Sequence, residues 1–325
     1  MNHAIQPVNE PAKPTLPAEY VHDNLYWRGA AACISVCVPV YRYDVSALMD
    51  AIATCKLSAL VEIIFYDDGS GDTEMLTALM SRAGHTTMAV RIVAGTLNRG
   101  RSAARNAATR HARGEWILLL DADMMPDGPR FLEAYFDAVE AAKRPAVIVG
   151  GYSLASAPRS SATSLHRWQA VTSECVDAAT RRQSPGRFVF SSNVLVHRDI
   201  LAACPFDESF AGWGWEDTDW GLRLEKQFPV IHIDNTATHL GLDSDKALMA
   251  KYARSGANFA RMAIRHPGEV KQMALFRHAQ RLRKLPMRKV LMATAAGAAQ
   301  TRLLPLAVRG RALKTWRALL YSEAL

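Results

Sequence analysis

The first third of the chain alternates between two patterns of apolar residues. Short, continuous apolar runs predict buried strands at 34–40, 61–66, 89–93 and 116–120. Between these runs, apolar residues recur every three or four positions, which predicts helices at 45–57, 73–83 and 102–111. Strands and helices that alternate in this way form a mostly parallel sheet with helices on both faces. We therefore expect an α/β fold with a central, mostly parallel sheet.

The remainder of the chain is less regular. Further helices are predicted at 131–142 and 216–226, and further strands at 146–152, 188–190, 193–196 and 230–233. Residues 153–187 are polar and rich in arginine, which predicts a mobile loop or a small helical insertion. The first 30 residues contain four prolines and show no period, so we expect an extended arm. The chain thus divides into an arm at 1–30, a main domain at 31–245 and a helical region at 246–325.

The composition is that of a globular protein. Of the 325 residues, 49% are hydrophobic and 22% are charged, which allows a large core and excludes a disordered chain. No continuous apolar run reaches the about 18 residues that a membrane-spanning helix needs. The five cysteines form no Cys-x-x-Cys pair, which favours a reducing, cytoplasmic compartment and no zinc site. The polar, proline-spaced N-terminus predicts no signal peptide.

The formal net charge of +8 is concentrated in one segment. Residues 271–317 contain twelve lysines and arginines and no acidic residue, so the rest of the chain carries a net charge of −4. Basic turns alternate there with apolar ones, as in amphipathic helices that lie on an anionic bilayer surface. A solvated basic helix and a nucleic-acid contact are the alternatives. The membrane surface is the favoured partner and nucleic acid the least favoured.

Acidic residues follow two of the predicted strands. Asp67 and Asp68 end the second strand, and Asp121-Ala122-Asp123 ends the fourth. In open α/β sheets, ligands bind outside the carboxyl ends of the strands. An Asp-x-Asp at this place can hold Mg²⁺ or Mn²⁺, with phosphate oxygens and water completing the coordination. The alternative role of both clusters is to cap a turn or the next helix.

The loop before the third predicted helix is rich in arginine. Its sequence from 98 to 106 is Asn-Arg-Gly-Arg-Ser-Ala-Ala-Arg-Asn. Guanidinium groups and free backbone N–H groups at a helix start suit a diphosphate, and Arg101 is the favoured phosphate ligand. Arg105 and Asn106 lie within the helix, where they are alternatively placed to brace the two neighbouring loops.

Residues 207–224 combine aromatic side chains with carboxylates. Trp213 and Trp215 are separated by a glycine and directly precede Glu216 and Asp217. Aromatic rings beside small residues suit a concave wall on which a sugar can stack. Partial desolvation against such a wall raises a carboxylate pKa towards the range that proton abstraction needs. Trp220, further along the segment, fits a position in the core equally well.

Together these motifs resemble the inverting family 2 glycosyltransferases, whose nucleotide-sugar fold is called GT-A. The resemblance covers residues 33–242. Its matching parts are Val38-Pro39-Val40-Tyr41, Asp67-Asp68-Gly69-Ser70, Asn98-x-Gly100-x-x-x-Ala104-Arg105-Asn106, Asp121-Ala122-Asp123 and the Trp-Gly-Trp-Glu-Asp run at 213–217. This last run is similar to the acceptor and base motif of galactosyltransferase-like sequences. The resemblance implies a GT-A catalytic domain at 31–245.

On the donor side, the resemblance implies roles for the residues at the strand ends. Tyr41 and Asp68, beside Pro39, would contact the base of the nucleotide sugar. Asp121 would approach the ribose or the sugar, and Asp123 would bind the metal, Mn²⁺ or Mg²⁺. His239, about twenty residues past the acidic pair at 216–217, would add a metal or phosphate contact. Its alternative role is that of a loop histidine with an ordinary hydrogen bond.

On the acceptor side, the resemblance implies that Asp217 is the general base on the acceptor hydroxyl. Glu216 would contact the acceptor or the donor sugar, and Trp213 and Trp215 would frame the acceptor. Retaining relatives tend to carry Asn at the position of Asp217, so inversion is favoured. Two residues depart from the pattern. Arg42 stands where many relatives have Asn, and Trp215 stands where galactosyltransferase-like sequences often have Gly, which narrows the acceptor pocket.

The function expected from the resemblance is transfer of a sugar from a nucleotide sugar, with a UDP-sugar favoured, to a saccharide acceptor. The basic tail suggests that the acceptor is lipid-linked and lies at the inner face of the plasma membrane, as in bacterial surface polysaccharide synthesis. A retaining transferase, or a silent sugar- or nucleotide-binding protein of the same fold, is the alternative. A nucleotidyltransferase and an NAD-dependent oxidoreductase are disfavoured because no glycine-rich loop follows the first predicted strand.

Overall fold

An eight-stranded sheet forms the centre of the computed structural model, which describes residues 18–325. Its strands, in spatial order, are β1 (Glu19–Asp23), β4 (Ala89–Gly95), β3 (Val61–Asp67), β2 (Ile34–Val40), β5 (Trp116–Leu120), β9 (Asn193–His197), β7 (Val147–Val149) and β10 (Val230–His232). Strands β4, β3, β2 and β5 are parallel, and so are β7 and β10. Strands β1 and β9 run antiparallel to their neighbours. The predicted α/β fold with a mostly parallel sheet is confirmed.

Helices flank the sheet and continue past its last strand. The helices that alternate with strands are α1 (Ser46–Thr54), α2 (Thr73–Ala83), α3 (Arg101–Arg110), α4 (Phe131–Ala142), α5 (Ser164–Ser173), α6 (Ala178–Arg181), α7 (Arg198–Ala203) and α8 (Glu216–Glu225). The helices that follow are α9 (Asp245–Arg254), α10 (Gly256–Arg265), α11 (Pro267–Gln272), α12 (Ala274–Arg283), α13 (Arg288–Gln300) and α14 (Leu306–Ala324). Across residues 18–325, no helix is both long enough and apolar enough to cross a membrane.

Alternate residues of the central strands pack on opposite faces of the sheet. In β2, Val36 and Val38 belong to one buried cluster together with Ile52 of α1. The residue between them, Cys37, belongs to a second cluster with Ala104 of α3. Burial of each large apolar side chain contributes about 1.5–3 kcal/mol. Because both faces are covered, these strands are mostly apolar. The apolar runs therefore predicted the four central strands to within two residues.

The segment after residue 17 departs from the predicted arm. Residues 19–23 form β1, an edge strand whose Asp23 lies opposite Arg91 of β4. The carboxylate of Asp23 accepts two hydrogen bonds from the Arg91 guanidinium, at 2.7 and 2.8 Å. The strand escaped prediction because an edge strand is only partly covered, and Glu-Tyr-Val-His-Asp contains no apolar run. Residues 1–17 of the predicted arm lie outside the described residues.

The arginine-rich segment 153–187 contains α5 and α6, so the helical insertion is the alternative that formed. It lacks an apolar period partly because Arg181 is fully buried. The guanidinium of Arg181 donates hydrogen bonds to the carbonyls of Gly150 and Ile233. The strand expected at 188–190 does not form, because a 3-10 turn occupies Pro185–Phe188 before β9. Hydrogen bonds to backbone carbonyls thus supplement apolar packing, such as that of Leu165 and Ala170, in this part of the fold.

A second, three-stranded sheet has the order β6 (Met124–Pro126), β11 (Ala237–His239) and β8 (Tyr152–Ser153). Its strands have only two or three residues each, too few to produce a recognisable period in the sequence. Strands β6 and β11 are antiparallel, and His239 pairs with Met124. This pairing carries the backbone of His239 to the residue that follows Asp123.

The helical C-terminal region packs on the main domain. The last helix, α14, contacts α5 and α9 as well as α10, α12 and α13. Two of its basic side chains are inside the protein. Arg309 is buried, and its guanidinium pairs with Asp245 at 2.5 Å, while Arg317 lies 4.2 Å from the ring centre of Tyr252. The region is helical as expected, but these two charges stabilise the fold instead of facing solvent.

Candidate active site

A cavity of about 700 Å³ opens at the carboxyl ends of β2, β3 and β5. Its size is typical of pockets for a nucleotide-sized ligand. Nine of the eleven site residues predicted from the sequence line it, namely Pro39, Tyr41, Asp68, Arg101, Asp121, Asp123, Trp213, Asp217 and His239. The other two, Glu216 and Trp215, are absent from the lining formed by the described residues. The strand-end positions inferred from the pattern therefore meet in one place.

The carboxylate of Asp68 holds the neighbouring loop. One oxygen accepts a hydrogen bond from the backbone N–H of Arg99 at 3.0 Å, and the other accepts one from Gly100 at 2.8 Å. Burial raises the pKa of Asp68 despite these two bonds. The turn that follows requires a glycine, since Gly69 has a φ of 69° and an added Cβ would lie 2.5 Å from the carbonyl carbon of Leu97. The close approach of these two loops forms one edge of the cavity.

Arg101 is the first residue of α3 and lies on the cavity wall. Gly100, the residue before it, has a φ of 90°, a conformation that glycine adopts without strain. The first N–H groups of a helix have no partner within the helix, and the helix dipole favours an anion beside them. The guanidinium of Arg101 and the start of α3 therefore present positive charge to the cavity, as a phosphate site requires.

Arg105 links the two acidic motifs. Its side chain is 2% exposed, and one guanidinium nitrogen lies 2.8 Å from Asp121 while the other lies 4.0 Å from Asp217. Burial alone would lower the pKa of Arg105, but the carboxylates of Asp121, Asp217 and Glu216 raise it above its ordinary value. Its Nε and Nη1 atoms are buried and make no hydrogen bond with any group of residues 18–325. This arginine carries a fixed positive charge between the carboxylates of Asp121 and Asp217.

Asn106, the next residue of α3, braces the loop before α8. Its amide nitrogen donates to the carbonyl of Phe206, and its amide oxygen accepts from the N–H of Phe206, both at 3.0 Å. It also donates to Glu208, which in turn pairs with Arg99 at 2.8 Å. Arg105 and Asn106 therefore both make contacts of the kind expected for the second role, which was to brace the neighbouring loops.

Asp123 and His239 form an ion pair on the cavity wall. The Nε2 atom of His239 lies 3.1 Å from Oδ2 of Asp123. Burial alone would raise the pKa of Asp123 and lower that of His239, but their mutual interaction lowers the first and raises the second. Gly241 leaves the space that Asp123 fills, since a Cβ at Gly241 would lie 1.9 Å from Oδ2. An oxygen and an imidazole nitrogen thus lie together at the end of β5.

Asp217 lies in the first turn of α8, and Ser191 fixes its orientation. One carboxylate oxygen accepts from the Ser191 hydroxyl at 2.6 Å, and the other accepts from its backbone N–H at 3.2 Å. The neighbouring Glu216 is buried beneath it, and burial, followed by the charge of Asp217, raises the pKa of Glu216. Of the two predicted catalytic carboxylates, Asp217 lines the cavity and Glu216 is buried at the start of the helix.

The structure separates the three tryptophans of the acidic segment. Trp213 lines the cavity, with the ammonium of Lys251 5.8 Å from its ring centre. Trp215 has a φ of 78° and packs instead on Phe259 of α10, with ring centres 4.7 Å apart. Trp220 is fully buried in the core of the main domain. The acceptor role expected for Trp213 stays a prediction, and the geometry gives Trp215 a different partner, the helical C-terminal region.

Several polar residues of the cavity wall were missed by the sequence analysis: Tyr152, His166, Glu174, Asp243 and Lys251. They form linked pairs, since the hydroxyl of Tyr152 donates to Glu174 and the ammonium of Lys251 lies 2.7 Å from Asp243. The backbone N–H of Asp243 also donates to Nδ1 of His166 at 2.8 Å. His166 and Glu174 come from the segment without an apolar period, and Lys251 comes from the helical region. Spacing along the chain gave no signal that they meet.

The comparison with protein families bears on this site directly. The family model described as "Glycosyl transferase family 2" matches residues 35–201, just over half of the chain, and this range includes the loops that carry Asp68, Arg101 and Asp123. The chain belongs to glycosyl transferase family 2. The family predicted from the motifs is confirmed, and with it the enzyme class, a glycosyltransferase.

Curated relatives of this family 2 glycosyltransferase include two named transferases. The chain is 24% identical over 294 residues to the validoxylamine A glucosyltransferase of Streptomyces hygroscopicus subsp. limoneus, covering 81% of this chain and 61% of that protein. It is 36% identical over 112 residues to the undecaprenyl-phosphate 4-deoxy-4-formamido-L-arabinose transferase of Edwardsiella ictaluri, covering 31% of this chain and 33% of that protein. The chain therefore spans less than two thirds of the length of either relative.

A solved structure shares the fold of this glycosyltransferase. The mannosyltransferase PcManGT from Pyrobaculum calidifontis, solved in complex with GDP-Man and Mn²⁺, superposes with a TM-score of 0.61. The two proteins are 20% identical in sequence, and the superposition covers 90% of this chain and 86% of that one. The GT-A fold expected from the motifs is confirmed by this likeness.

Proposed function

We propose that the chain transfers a sugar from a nucleotide sugar to a hydroxyl of a saccharide acceptor and inverts the anomeric configuration. The observation that carries this proposal is the position of Arg105 between Asp121 and Asp217 in one cavity. It links a carboxylate at the end of a central strand, where nucleotides bind in α/β sheets, to a carboxylate fit to act as a base. Donor and acceptor chemistry are thereby brought within a few ångströms of each other.

In the proposed reaction, Asp217 takes the proton of the acceptor hydroxyl while that oxygen attacks the anomeric carbon. The bond from this carbon to the diphosphate breaks, and the nucleoside diphosphate leaves with the bonding electrons. The two hydrogen bonds from Ser191 keep the Asp217 carboxylate oriented for proton transfer. The charge of Arg101 at the start of α3 favours the negative charge that develops on the leaving group. A single displacement of this kind inverts the configuration.

A divalent cation, Mn²⁺ or Mg²⁺, is part of the proposal, and the residues present fit one. Asp123 and His239 would hold it, as the pair of protein ligands on the cavity wall. Within residues 18–325 no group of three or more His, Cys, Asp or Glu is placed to hold a metal ion, so the remaining ligands would have to come from the donor and from water. Such cations take few protein ligands when phosphate oxygens and water supply the rest. When bound, the cation would offset charge on the departing diphosphate. The room that Gly241 leaves for Asp123 supports this assignment.

The donor and acceptor classes rest on the motifs and on the names of the relatives. A UDP-sugar is the first donor to test, and GDP-mannose, the donor bound in PcManGT, is the second. The relatives' names include a glucosyltransferase and an undecaprenyl-phosphate sugar transferase, which supports a saccharide acceptor carried on a lipid. A lipid-linked acceptor in bacterial surface polysaccharide synthesis, met by a peripheral enzyme at the cytoplasmic face of the membrane, is consistent with the basic C-terminal region.

The direct test is release of nucleoside diphosphate from a panel of UDP-, GDP- and dTDP-sugars. Each donor is offered with Mn²⁺, with Mg²⁺ or with EDTA, to the wild type and to Asp123→Ala. Release from one donor, lost with EDTA and in the variant, is the expected result. Absence of both turnover and nucleoside diphosphate binding would contradict the proposal and leave a catalytically silent protein of the same fold. Retention of the anomeric configuration in the product would contradict the inverting mechanism alone.

A further inference from the structure

Helix α13 presents an uncharged face to solvent. Val290, Ala293, Thr294 and Gly297 are all exposed, and their spacing places them on one side of the helix. Its other side packs into the helical region, where Ala299 is fully buried. Between Lys289 and the end of the helix there is no charged residue. A solvated helix of a basic region would be expected to place charges on its outer side, and this helix does not.

The turns at the two ends of α13 expose large apolar side chains. Before the helix, Met287 is 73% exposed and Leu285 is 44% exposed. After it, Leu303 is 95% exposed, and Leu304 is also exposed. Single exposed leucines are ordinary on a protein surface, but these stand at both ends of an uncharged helix face. Since α13 has 13 residues, the strip runs for about 20 Å along the surface.

Basic residues flank this strip and acidic residues do not. Arg281, Arg283 and Lys284 are exposed before α13, and Arg302 and Arg311 are exposed after it. No aspartate or glutamate occurs between residues 271 and 317. An apolar strip with basic residues at its margins is complementary to the surface of an anionic bilayer, whose headgroups attract the charges while the acyl region takes the apolar side chains.

The strip adjoins the wall of the cavity. Arg309, in the first turn of α14, donates to the hydroxyl of Ser164 at 3.1 Å and pairs with Asp245. Ser164 and Asp245 are the first residues of α5 and α9. His166 lies two residues after Ser164 in the sequence, and Asp243 lies two residues before Asp245. Both His166 and Asp243 line the cavity. The buried Arg309 therefore fixes the Leu303 end of the strip beside the part of the cavity that these two residues form.

We propose that the strip, formed by Leu285, Met287, Val290, Ala293, Gly297 and Leu303 with the adjoining Leu304, seats the protein on an anionic phospholipid surface. Helix α13 then lies in the plane of the interface, with its uncharged face towards the acyl chains. This orientation places one wall of the cavity next to the bilayer, where the sugar of a lipid-linked acceptor would be found. The statement about the acceptor rests on the proposed function, whereas the binding to the bilayer does not.

The experiment is co-sedimentation of the full chain with vesicles of phosphatidylglycerol and phosphatidylcholine in equal parts, and with vesicles of phosphatidylcholine alone. The variant Leu303→Asp/Leu304→Asp places charge in the strip. Leu25→Asp, at a side chain that is 89% exposed in the loop after β1, is the matched control. We expect the wild type and the control to bind the anionic vesicles with the same affinity. The affinity of the double variant should be lower by about tenfold or more.

Four results would overturn the proposal. The first is that the wild type fails to bind the anionic vesicles. The second is that the double variant binds them as well as the wild type does. The third is that the control loses binding to the same extent as the double variant. Binding to a duplex oligonucleotide without binding to the vesicles would overturn it too, because a phosphate-backbone contact has no use for the leucines. Donor turnover with a water-soluble acceptor is a separate readout that we expect to be equal in the wild type and both variants. Failure of vesicle binding is thereby distinguishable from failure of the proposed transferase activity.

Discussion

Two arginines, the buried Arg105 in the family-matched part of the chain and the partly buried Arg317 in the helical C-terminal region, have opposite surroundings. Arg105 of α3 lies between the carboxylates of Asp121 and Asp217 at the cavity. Arg317 of α14 lies among aromatic rings, 4.2 Å from the ring centre of Tyr252 and 5.3 Å from that of Trp215. The first arginine compensates charges that face a ligand site. The second joins the helical region to the segment before α8.

The difference shows that formal charge along a sequence is a poor guide to where charge acts. The C-terminal region is the most basic part of the chain, yet Arg309 and Arg317 hold its helices in place. In the main domain, which is acidic in sum, a single buried guanidinium organises the cavity. We therefore expect changes at Arg105 to alter catalysis and changes at Arg317 to alter stability.

The largest effect is expected for Asp217→Asn, which tests the acidic side of this comparison. The amide cannot accept the proton of the acceptor hydroxyl, so kcat should fall by about a thousandfold, within the range measured for lost general bases. Steady-state release of nucleoside diphosphate in the presence of acceptor is the measurement. The affinity for the nucleoside diphosphate should stay within about twofold. A variant with more than about a tenth of the wild-type kcat would assign the base elsewhere.

Another buried arginine, Arg181, sharpens the comparison because it faces a neutral histidine. Its Nε donates to Nδ1 of His232 at 3.2 Å, and Nε2 of His232 lies 3.0 Å from the carbonyl of Pro185. Burial, and then the charge of Arg181, lower the pKa of His232 to about 4. Because the unfolded chain binds this proton near pH 6.5, the stabilising effect of the neutral histidine is complete above that pH and is lost as the pH falls towards 4.

The loss should reach about 3 kcal/mol in the free energy of unfolding, from a pKa difference of roughly two and a half units. Urea unfolding of the wild type and of His232→Gln at pH 7, 5 and 4 is the measurement. Gln can accept from Arg181 without gaining a proton, so the variant should lose less stability than the wild type between pH 7 and pH 4. Parallel pH profiles for the two proteins would show that His232 does not titrate in this way.

Arg105→Lys is expected to lower kcat by about a hundredfold, because an ammonium cannot reach Asp121 and Asp217 at once and the base loses its position. Arg105 is a positioning residue, so the KM of the donor should change much less than kcat. A stability loss with unchanged kcat per folded molecule would give Arg105 the purely structural role that we assign to Arg317. The matched control is Arg110→Lys, on the same helix and partly exposed.

Arg317→Met is expected to have the smallest effect, and on stability instead of rate. Loss of the contacts between the guanidinium and the rings of Tyr252, Trp215 and Tyr321 should lower the free energy of unfolding by about 2 kcal/mol. Arg311→Met, at an exposed position of the same helix, should change it by no more than about 0.5 kcal/mol. Denaturant unfolding and nucleoside diphosphate release are the paired measurements. A large loss of kcat in Arg317→Met would show that Arg317 affects catalysis as Arg105 does, and would contradict the separation of the two roles.

The part of the molecule that the sequence predicted best is the set of strands covered on both faces. Strands β2 to β5 are mostly apolar because nearly all of their residues are buried, and their ends carry the acidic residues that line the cavity. The parallel sheet brings these ends together, so the position of Asp68 and Asp123 in one site followed from strand order alone.

The residues that sequence patterns could not place are held by contacts between distant segments. His166 and Lys251 reach the cavity wall through the packing of α5 and α9, for which no local pattern exists. Trp215 lies two residues after Trp213 in the sequence and has a left-handed backbone conformation. Its ring packs on Phe259 of α10, whereas Trp213 lines the cavity. Two residues of one motif thus serve two regions.

We expect that the charged groups at the strand ends bind the ligand, whereas those of the helical region stabilise the fold. Calorimetric titration with UDP and with GDP in the presence of Mn²⁺ tests this expectation most directly. Wild type, Asp123→Ala and Arg317→Met would be titrated under the same conditions. We expect one nucleotide to bind the wild type, to bind Asp123→Ala at least about tenfold more weakly, and to bind Arg317→Met within about twofold of the wild type. Absence of binding by either nucleotide, or equal loss in both variants, would contradict the account.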